Sequence, residues 1–380
     1  MSWIKPAPKT VRPFSLSNRK YIGSKRELAS RIAKAIVARS GVPDSFFDVF
    51  AGTGAVTQVM AENGAGTIFA CDNLKANTVI LSGFFDPGPD GQASFLDELE
   101  KLNDLSGCDG YITAHFADTY FSRANCRKMD AVREGIARGE DAGRVPAQVS
   151  AALMASFLLA ADRAANTLGQ YDAYLKHIGS SGFENGRHVA DSRIHEPFRL
   201  KPLSFLPSRP HRIYTADIFS LLATVKATVA YLDPPYNTRQ YCDNYHVLEN
   251  LARWEKPALY GKTRKFDRTL LKSPFSSRRY AKTAVAELLA EIQAEHVWLS
   301  YNSEGILSRT ELIDLLSVHG KPEILEFPYP VFGKGAGVSR KRQVTEYLLY
   351  VKKAAGKRTN QGDTSIDDSP GGLPAGAALC

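Results

Sequence analysis

The run Asp233-Pro-Pro-Tyr-Asn237 holds the residues whose types and order point most directly to chemistry. It follows Thr228 to Leu232, an apolar stretch read as a strand, so the Asp233 carboxylate is expected at the carboxyl edge of a sheet. Two prolines fix the backbone there and lack N–H groups, which leaves their carbonyls, that of Pro234 first, available as acceptors. A carboxylate beside a carbonyl is a double acceptor for an NH₂ group, and Tyr236 offers a ring on which a planar base can stack. A proline-rich turn without chemistry is the alternative, disfavoured by the strand before it and the aromatic after it.

A second candidate is Asp48-Val-Phe-Ala-Gly52-Thr-Gly54. It lies between Ser45–Phe50, read as a strand, and Ala55–Asn63, read as a helix. Glycines at such a turn let backbone amides approach a ligand in the crevice beyond the strand end. The run is not G-x-G-x-x-G, and any tight strand-to-helix turn can use two glycines, so a purely structural turn remains open. Asp72, closing the short strand Thr67–Cys71, could accept from both hydroxyls of a ribose or could cap the helix that follows.

The elements that must position these residues alternate. Ser24 and Glu27 have the spacing of a capping box before a helix whose face carries Leu28, Ile32 and Ile36. Strand, glycine turn, helix and strand then open a doubly wound sheet. From about Pro87 the pattern becomes helical, at Ser94–Leu105, Lys128–Arg138 and Ala147–Leu168, followed by a polar run to Arg209. Alternation returns with a strand at Ile213–Ala216, a helix at Ile218–Val225 and the strand before Asp233. A helix over Tyr280–Glu295, a strand over His296–Tyr301 and a helix over Arg309–Val318 come next, and Glu323–Phe327 with Val344–Val351 can close the sheet as an antiparallel pair. The reading is an α/β fold, helices on both faces of a Rossmann-like sheet, formed by residues 1–85 and 210–353. A mostly helical insertion over 86–209 interrupts it, and a Gly-, Pro- and Ser-rich tail, expected to be disordered, spans 354–380.

The chain has 380 residues, 44% of them apolar and 23% charged, enough for a large core. No stretch reaches the roughly 20 apolar residues of a membrane span, and the first residues lack the apolar core of a secretory signal. Five scattered cysteines form no C-x-x-C pair, which argues against a disulfide framework or zinc site and for a reduced cytoplasmic compartment. His177, His188, His195 and His211 do not fall at metal-ligand spacings, so no metal is expected. The net charge of +8 is modest, but its placement is one-sided. Lys262, Arg264, Lys265, Arg268, Lys272, Arg278, Arg279 and Lys282 face only Asp267, with Phe266, Phe275 and Tyr280 interleaved. Lys334 with Arg340, Lys341 and Arg342 forms a second basic patch in the loop of the closing pair. Such stretches suit phosphate contact, although many charge runs are merely solvated.

Taken in order, these motifs resemble the adenine-specific DNA methyltransferases of the Dam and FokI type. Arg19-Lys-Tyr-Ile-Gly-Ser-Lys25 is similar to that family's N-terminal cofactor motif, Asp48 to Gly54 to its glycine motif, and Asp233 to Tyr236 to its catalytic tetrad. Ala161 to Lys176, and Asn237-Thr-Arg-Gln-Tyr241 leading to Tyr245-His-Val-Leu-Glu249, resemble segments of the FokI-like branch. The resemblance implies S-adenosylmethionine as methyl donor: Tyr21 and Lys25 flank its methionine end, Ala51, Gly52 and Gly54 pass beneath it, and Asp72 holds the ribose. Asp217 meets the adenine ring of the donor, and Asp233 lies between donor and target.

The implied partner is duplex DNA with its target adenine flipped out of the stack, at a cost of a few kcal/mol. A cognate restriction endonuclease acting on the same site would complete the system. Asp233 and the Pro234 carbonyl would favour a pyramidal amine whose lone pair can attack, and stacking on Tyr236 would offset about 1–3 kcal/mol of the flipping cost. The end of the insertion, with Lys176, Arg187, Arg193, Arg199, Lys201 and Arg209, is the expected target-recognition region. Competing readings are an RNA base methyltransferase, a catalytically inert DNA-binding relative and, least favoured, a nicotinamide oxidoreductase.

Overall fold

The computed structural model describes residues 12–16, 21, 23–175, 183–184, 187–188, 192–332 and 341–353. Seven strands form the main sheet: β1 Ser45–Asp48, β2 Thr67–Asp72, β3 His211–Thr215, β4 Lys226–Leu232, β5 Gln293–Asn302, β6 Glu323–Phe332 and β7 Lys341–Lys352. Their spatial order is β3-β2-β1-β4-β5-β7-β6. The first five are parallel, while β7 lies antiparallel between β5 and β6. The strand order reverses between β1 and β4, and such a switch point leaves a crevice at the carboxyl ends of both strands. Asp48 ends β1 and Asp233 follows β4, so both acids reach that crevice.

Among the described residues there are eleven α-helices: α1 Ala29–Ser40, α2 Ala55–Glu62, α3 Lys75–Phe84, α4 Gly88–Asp104, α5 Tyr111–Phe116, α6 Arg123–Asp141, α7 Ala147–Ala164, α8 Tyr241–Asn244, α9 His246–Arg253, α10 Ala281–Glu291 and α11 Arg309–Ser317. Alternate strand residues feed opposite cores, as the pleat requires. Phe46, Val229 and Tyr231 join the core under α1–α7 and α9, whereas Phe47, Ala230 and Leu232 join the one under α10 and α11. Strands buried on both faces explain the continuous apolar runs at Val229–Leu232 and Val297–Leu299.

Helices α4–α7 share one continuous core with that first face of the sheet. Single bridges from Phe14 to Leu203 and from Phe85 to Leu206 tie the ends of the insertion to the rest. The closest seam is Gly83 of α3 on α7, where a Cβ would stand 2.4 Å from the Ala151 carbonyl oxygen. A two-residue hairpin pair, 183–184 with 187–188, lies in the polar run. The tail 354–380 lies outside the described residues.

Several elements differ from the sequence reading. The Ser24–Glu27 capping box does not form: α1 starts at Ala29 without a side-chain cap, because Ser24 and Lys25 turn toward the crevice instead. A true capping box does form at the last of these helices, at Ser308 and Glu311 before α11. The expected helix at Ile218–Val225 is only a 3₁₀ turn over Ile218–Ser220. There the Asp217 carboxylate accepts from Phe219 N, while the Ser220 and Thr224 hydroxyls donate to backbone carbonyls and compete with a helical ladder. The helix read to Glu295 stops at Glu291, since Gln293 already pairs with β4. Helix α3 was not legible because Asn77, Thr78, Val79, Ile80 and Gly83 are poor helix formers. Among the described residues, no helix is long and apolar enough to cross a membrane.

Candidate active site

A cleft opens at the switch point. Its wall includes Tyr21, Lys25, Asp48, Ala51, Gly52, Asp72, Asp217, Asp233 and Pro235. Residues from five places in the sequence therefore meet at one site, though Gly54, Pro234 and Tyr236 are not part of the wall.

The glycine turn is built by backbone geometry. Gly52 and Gly54 have φ of 51° and 74°, the left-handed region that favours glycine. Gly54 N donates to the Ala51 carbonyl at 2.7 Å, closing the turn, while Gly54 itself packs on Leu81 and Leu16 rather than facing the cleft. Asp72 ties this turn to the next strand. Its Oδ2 accepts from Gly52 N at 2.9 Å and from the Asn77 amide at 3.1 Å, and its Oδ1 accepts from Leu74 N at 2.8 Å. Asp72 lines the cleft but does not cap α3, whose N-cap is Leu74 with no side-chain cap hydrogen bond; its bond to Leu74 N turns the chain just before the helix.

Asp48 was missed as a candidate in its own right, although an acid ending an apolar strand inside a glycine motif was the available signal. It is 1% exposed, and its Oδ2 accepts from Thr57 Oγ1 at 2.6 Å. Its Oδ1 lies buried without a hydrogen-bond partner among the described residues. Burial raises its pKa to about 7, against the lowering effect of the Thr57 hydrogen bond. An orphaned buried acceptor on the cleft wall fits a ligand that brings a donor or a positive charge.

Lys25 is buried and joins two acids, with Nζ 2.7 Å from Asp233 Oδ1 and 3.2 Å from Glu346 Oε1. Burial acts to lower its pKa, but the two carboxylates outweigh that and hold it well above the ordinary lysine value. Burial likewise pushes Asp233 up to about 6, with Lys25 opposing and Glu346 reinforcing the shift. The Tyr236 ring turns toward this group: Lys25 Nζ lies 5.3 Å from its centroid, and Tyr301 packs edge-on at 6.1 Å.

Tyr21 stacks on Tyr245 at 4.3 Å and on Tyr241 at 5.4 Å, and its hydroxyl accepts from Asn77 at 3.0 Å. The segment after the tetrad supplies these supports. Glu249, fully buried in α9, accepts from Lys75 N at 3.0 Å and Ala76 N at 2.9 Å, holding the start of α3 where Asp72 must sit. Over the other side of the cleft runs a strap, with Leu271, Ser273, Pro274 and Phe275 on its wall. Asn73 donates to the Leu271 carbonyl at 3.0 Å, and the Gln240 amide exchanges two hydrogen bonds with the Ser273 backbone. Cys71, also on the wall, is held as a thiol by burial.

The basic stretch divides. Lys262, Arg264, Lys272, Arg278 and Arg279 are exposed. Arg268 is not: it is 9% exposed, pairs with Asp243 at 2.8 Å and also binds Tyr260 and the Phe266 carbonyl. Lys265 approaches the same acid at 3.5 Å, and Lys282 pairs with Glu311 at 3.3 Å. Arg268 and Lys265 therefore hold the segment's own fold rather than offering charge outward. Arg340 lies outside the described residues, as do the side chains of Lys341 and Arg342.

A protein-family model described as the D12 class N6 adenine-specific DNA methyltransferase matches residues 21–314, which include every wall residue named here. The chain belongs to that class. The modification methylase StsI of Streptococcus sanguinis is 31% identical over 88% of this chain and 52% of its own. The type II methyltransferase M.NlaIII of Neisseria lactamica is 28% identical over 88% of this chain and 99% of its own. M.FokI of Planomicrobium okeanokoites is 28% identical over 88% and 52%. The chain thus spans about half the length of two of these relatives and nearly all of the third. Methyltransferases of the D12 class use S-adenosylmethionine, and the cleft suits it: four aspartates line it, one of them with an orphaned carboxylate oxygen, to meet a ligand that brings hydroxyls and positive charge.

Proposed function

We propose that this D12 chain is the modification enzyme of a restriction system, methylating the exocyclic amine of an adenine flipped out of duplex DNA. The observation that carries the reading is Asp233, held by Lys25 at the mouth of the switch-point cleft that also contains Asp48 and Asp72. S-adenosylmethionine supplies the electrophilic methyl group. Asp72 suits the ribose hydroxyls, Asp217 the adenine end, and Asp48 with Lys25 the charged methionine end, while Tyr21 and the Ala51–Gly54 turn form the floor. Asp233 and the Pro234 carbonyl would accept from the target amine; as the amine nitrogen takes the methyl carbon, the sulfonium C–S bond would break with its electron pair returning to sulfur, and Asp233 would take the proton the nitrogen loses. Holding the reacting atoms roughly 3–3.5 Å apart removes most of the entropic barrier. Stacking of the target base falls to Tyr236, which must turn its ring from Lys25 toward the base.

The exposed cations Lys262, Arg264, Lys272, Arg278 and Arg279 flank, in sequence, the strap over Leu271–Phe275 that lines the cleft, and they suit phosphates. Leu270, 98% exposed among them, is an apolar group able to enter a base stack. The insertion over 86–209 is assigned to target recognition, a cytoplasmic location follows from the DNA substrate, and a cognate endonuclease is the expected companion.

Incubation with labelled S-adenosylmethionine and plasmid DNA, followed by mapping of the modified bases, tests the reading. N6-methyladenine at one recurring sequence is expected; label on RNA alone, or on no nucleic acid, overturns it. A further prediction concerns the exposed cations. Each lost phosphate contact lowers the slope of log affinity against log salt by about 0.9 on duplex DNA. Replacing Lys262, Arg264 and Arg278 with alanine should therefore flatten it by about two to three, and an unchanged slope would place the segment away from the backbone. Arg268→Ala should instead lower the melting temperature.

A further inference from the structure

Glu346 lies on β7, antiparallel to β5 and outside the sequence motifs that define the site. It is 1% exposed, yet it is an acid, and acids are almost never fully buried without partners. Its partners are specific. Ser300 Oγ donates to its Oε1 at 2.6 Å, the Asn302 amide donates to Oε2 at 3.4 Å, and Lys25 Nζ stands 3.2 Å from Oε1. A residue needed only to fill this space would be apolar, since replacing a buried ion pair by packed apolar groups is often neutral or stabilising.

We propose that Glu346 is a positioning residue for methyl transfer: from behind Lys25 it fixes that ammonium by a second ion pair and sets the charge against which Asp233 works. The inference rests on the methyltransferase reading of the same cleft. One lysine shared by two carboxylates leaves the group with a net negative charge, which complements a positively charged donor. The second ion pair also prevents Lys25 from following Asp233, so the ammonium stays put when Asp233 engages the amine.

The groups facing Asp233 come from every neighbouring element. They are Lys25 before α1, Asp48 at the end of β1, Tyr231 in β4, Tyr236 and Tyr241 after it, and Glu346 in β7. Among them Lys25 lowers the proton affinity of Asp233 and Glu346 raises it. Removing the Glu346 charge must therefore make Asp233 a weaker base.

The test is the pH profile of the single-turnover methyl-transfer rate, measured on the full chain with duplex DNA and S-adenosylmethionine. Glu346→Gln keeps the shape and the acceptor oxygen but removes the charge. Its acid limb should move downward by about half to one pH unit, with a lower plateau. Glu346→Asp keeps the charge but draws it back by one methylene, so its limb should move in the same direction by less. If the glutamine variant does not fold, the aspartate variant decides. Limbs that superimpose on the wild type, or that move upward, overturn the role of Glu346 while leaving the methyltransferase reading intact. A wild-type protein that transfers no methyl group overturns both.

Discussion

Asp233→Ala should reduce methyl transfer by at least about a hundred- to a thousandfold, the range seen when one preorganised polar group is removed from a reacting centre. The expectation comes from placement: Asp233 is the one acid of the cleft that directly precedes the proline pair, and its partner Lys25 holds one of its oxygens at 2.7 Å. The substitution is informative because it should not unfold the site. Lys25 keeps a second carboxylate, Glu346 at 3.2 Å, so no buried charge is left alone. Melting temperature should therefore stay near that of the wild type while labelling of DNA is lost. Turnover at the wild-type rate would remove Asp233 from the mechanism.

The pH dependence of that activity has a definite sign. The carboxylate is the working form, and its pKa is pushed up to about 6, so activity is present above that value and lost as pH falls through it. The folded protein holds this proton more tightly than the unfolded chain does. Ionisation of Asp233 therefore works against folding as pH rises from about 4 to 6, a cost in stability accepted at the reacting centre.

Much of this was legible in the residues, and the remainder fails for identifiable reasons. The parallel core strands could be read because burial on both faces makes them continuously apolar, and the two motifs at the switch point follow from strand ends and glycines. Helix α3 could not be read, since Asn77, Thr78, Val79, Ile80 and Gly83 are poor helix formers whose propensity tertiary packing overrides. Ser24 misled because its hydroxyl is within 3.4 Å of Thr53 at the cleft instead of capping a helix, a local rule overridden by the site. Arg268 looked like its cationic neighbours because the acid that claims it, Asp243, lies 25 residues away. Glu346 was invisible for the same reason: strand alternation marks the face it occupies but not the lysine, 321 positions earlier in the chain, that makes it more than a core acid.

That lysine gives the other large effect. Lys25→Met should destabilise the protein by about 3–5 kcal/mol, the usual result of breaking a buried ion pair by removing one partner. Here the removal strands two acids rather than one, because Asp233 and Glu346 share the ammonium. Methionine matches the length of the lysine stem, so a cavity contributes little and the loss is chiefly electrostatic. Two stranded carboxylates relieve their repulsion by binding protons, so the deficit relative to wild type should be largest above pH 7 and shrink toward pH 5. Methyl transfer should fail even where the variant is folded, since Asp233 without its counter-ion holds its proton into the neutral range. Adding Glu346→Gln to the methionine variant removes one of the two stranded charges and should restore part of the stability, while activity stays low. Denaturant melts at pH 5 and pH 8 on the single and double variants decide the matter. A deficit that is the same at both pH values, or a double variant no more stable than the single, would mean that Lys25 acts through its packing and not through its charge.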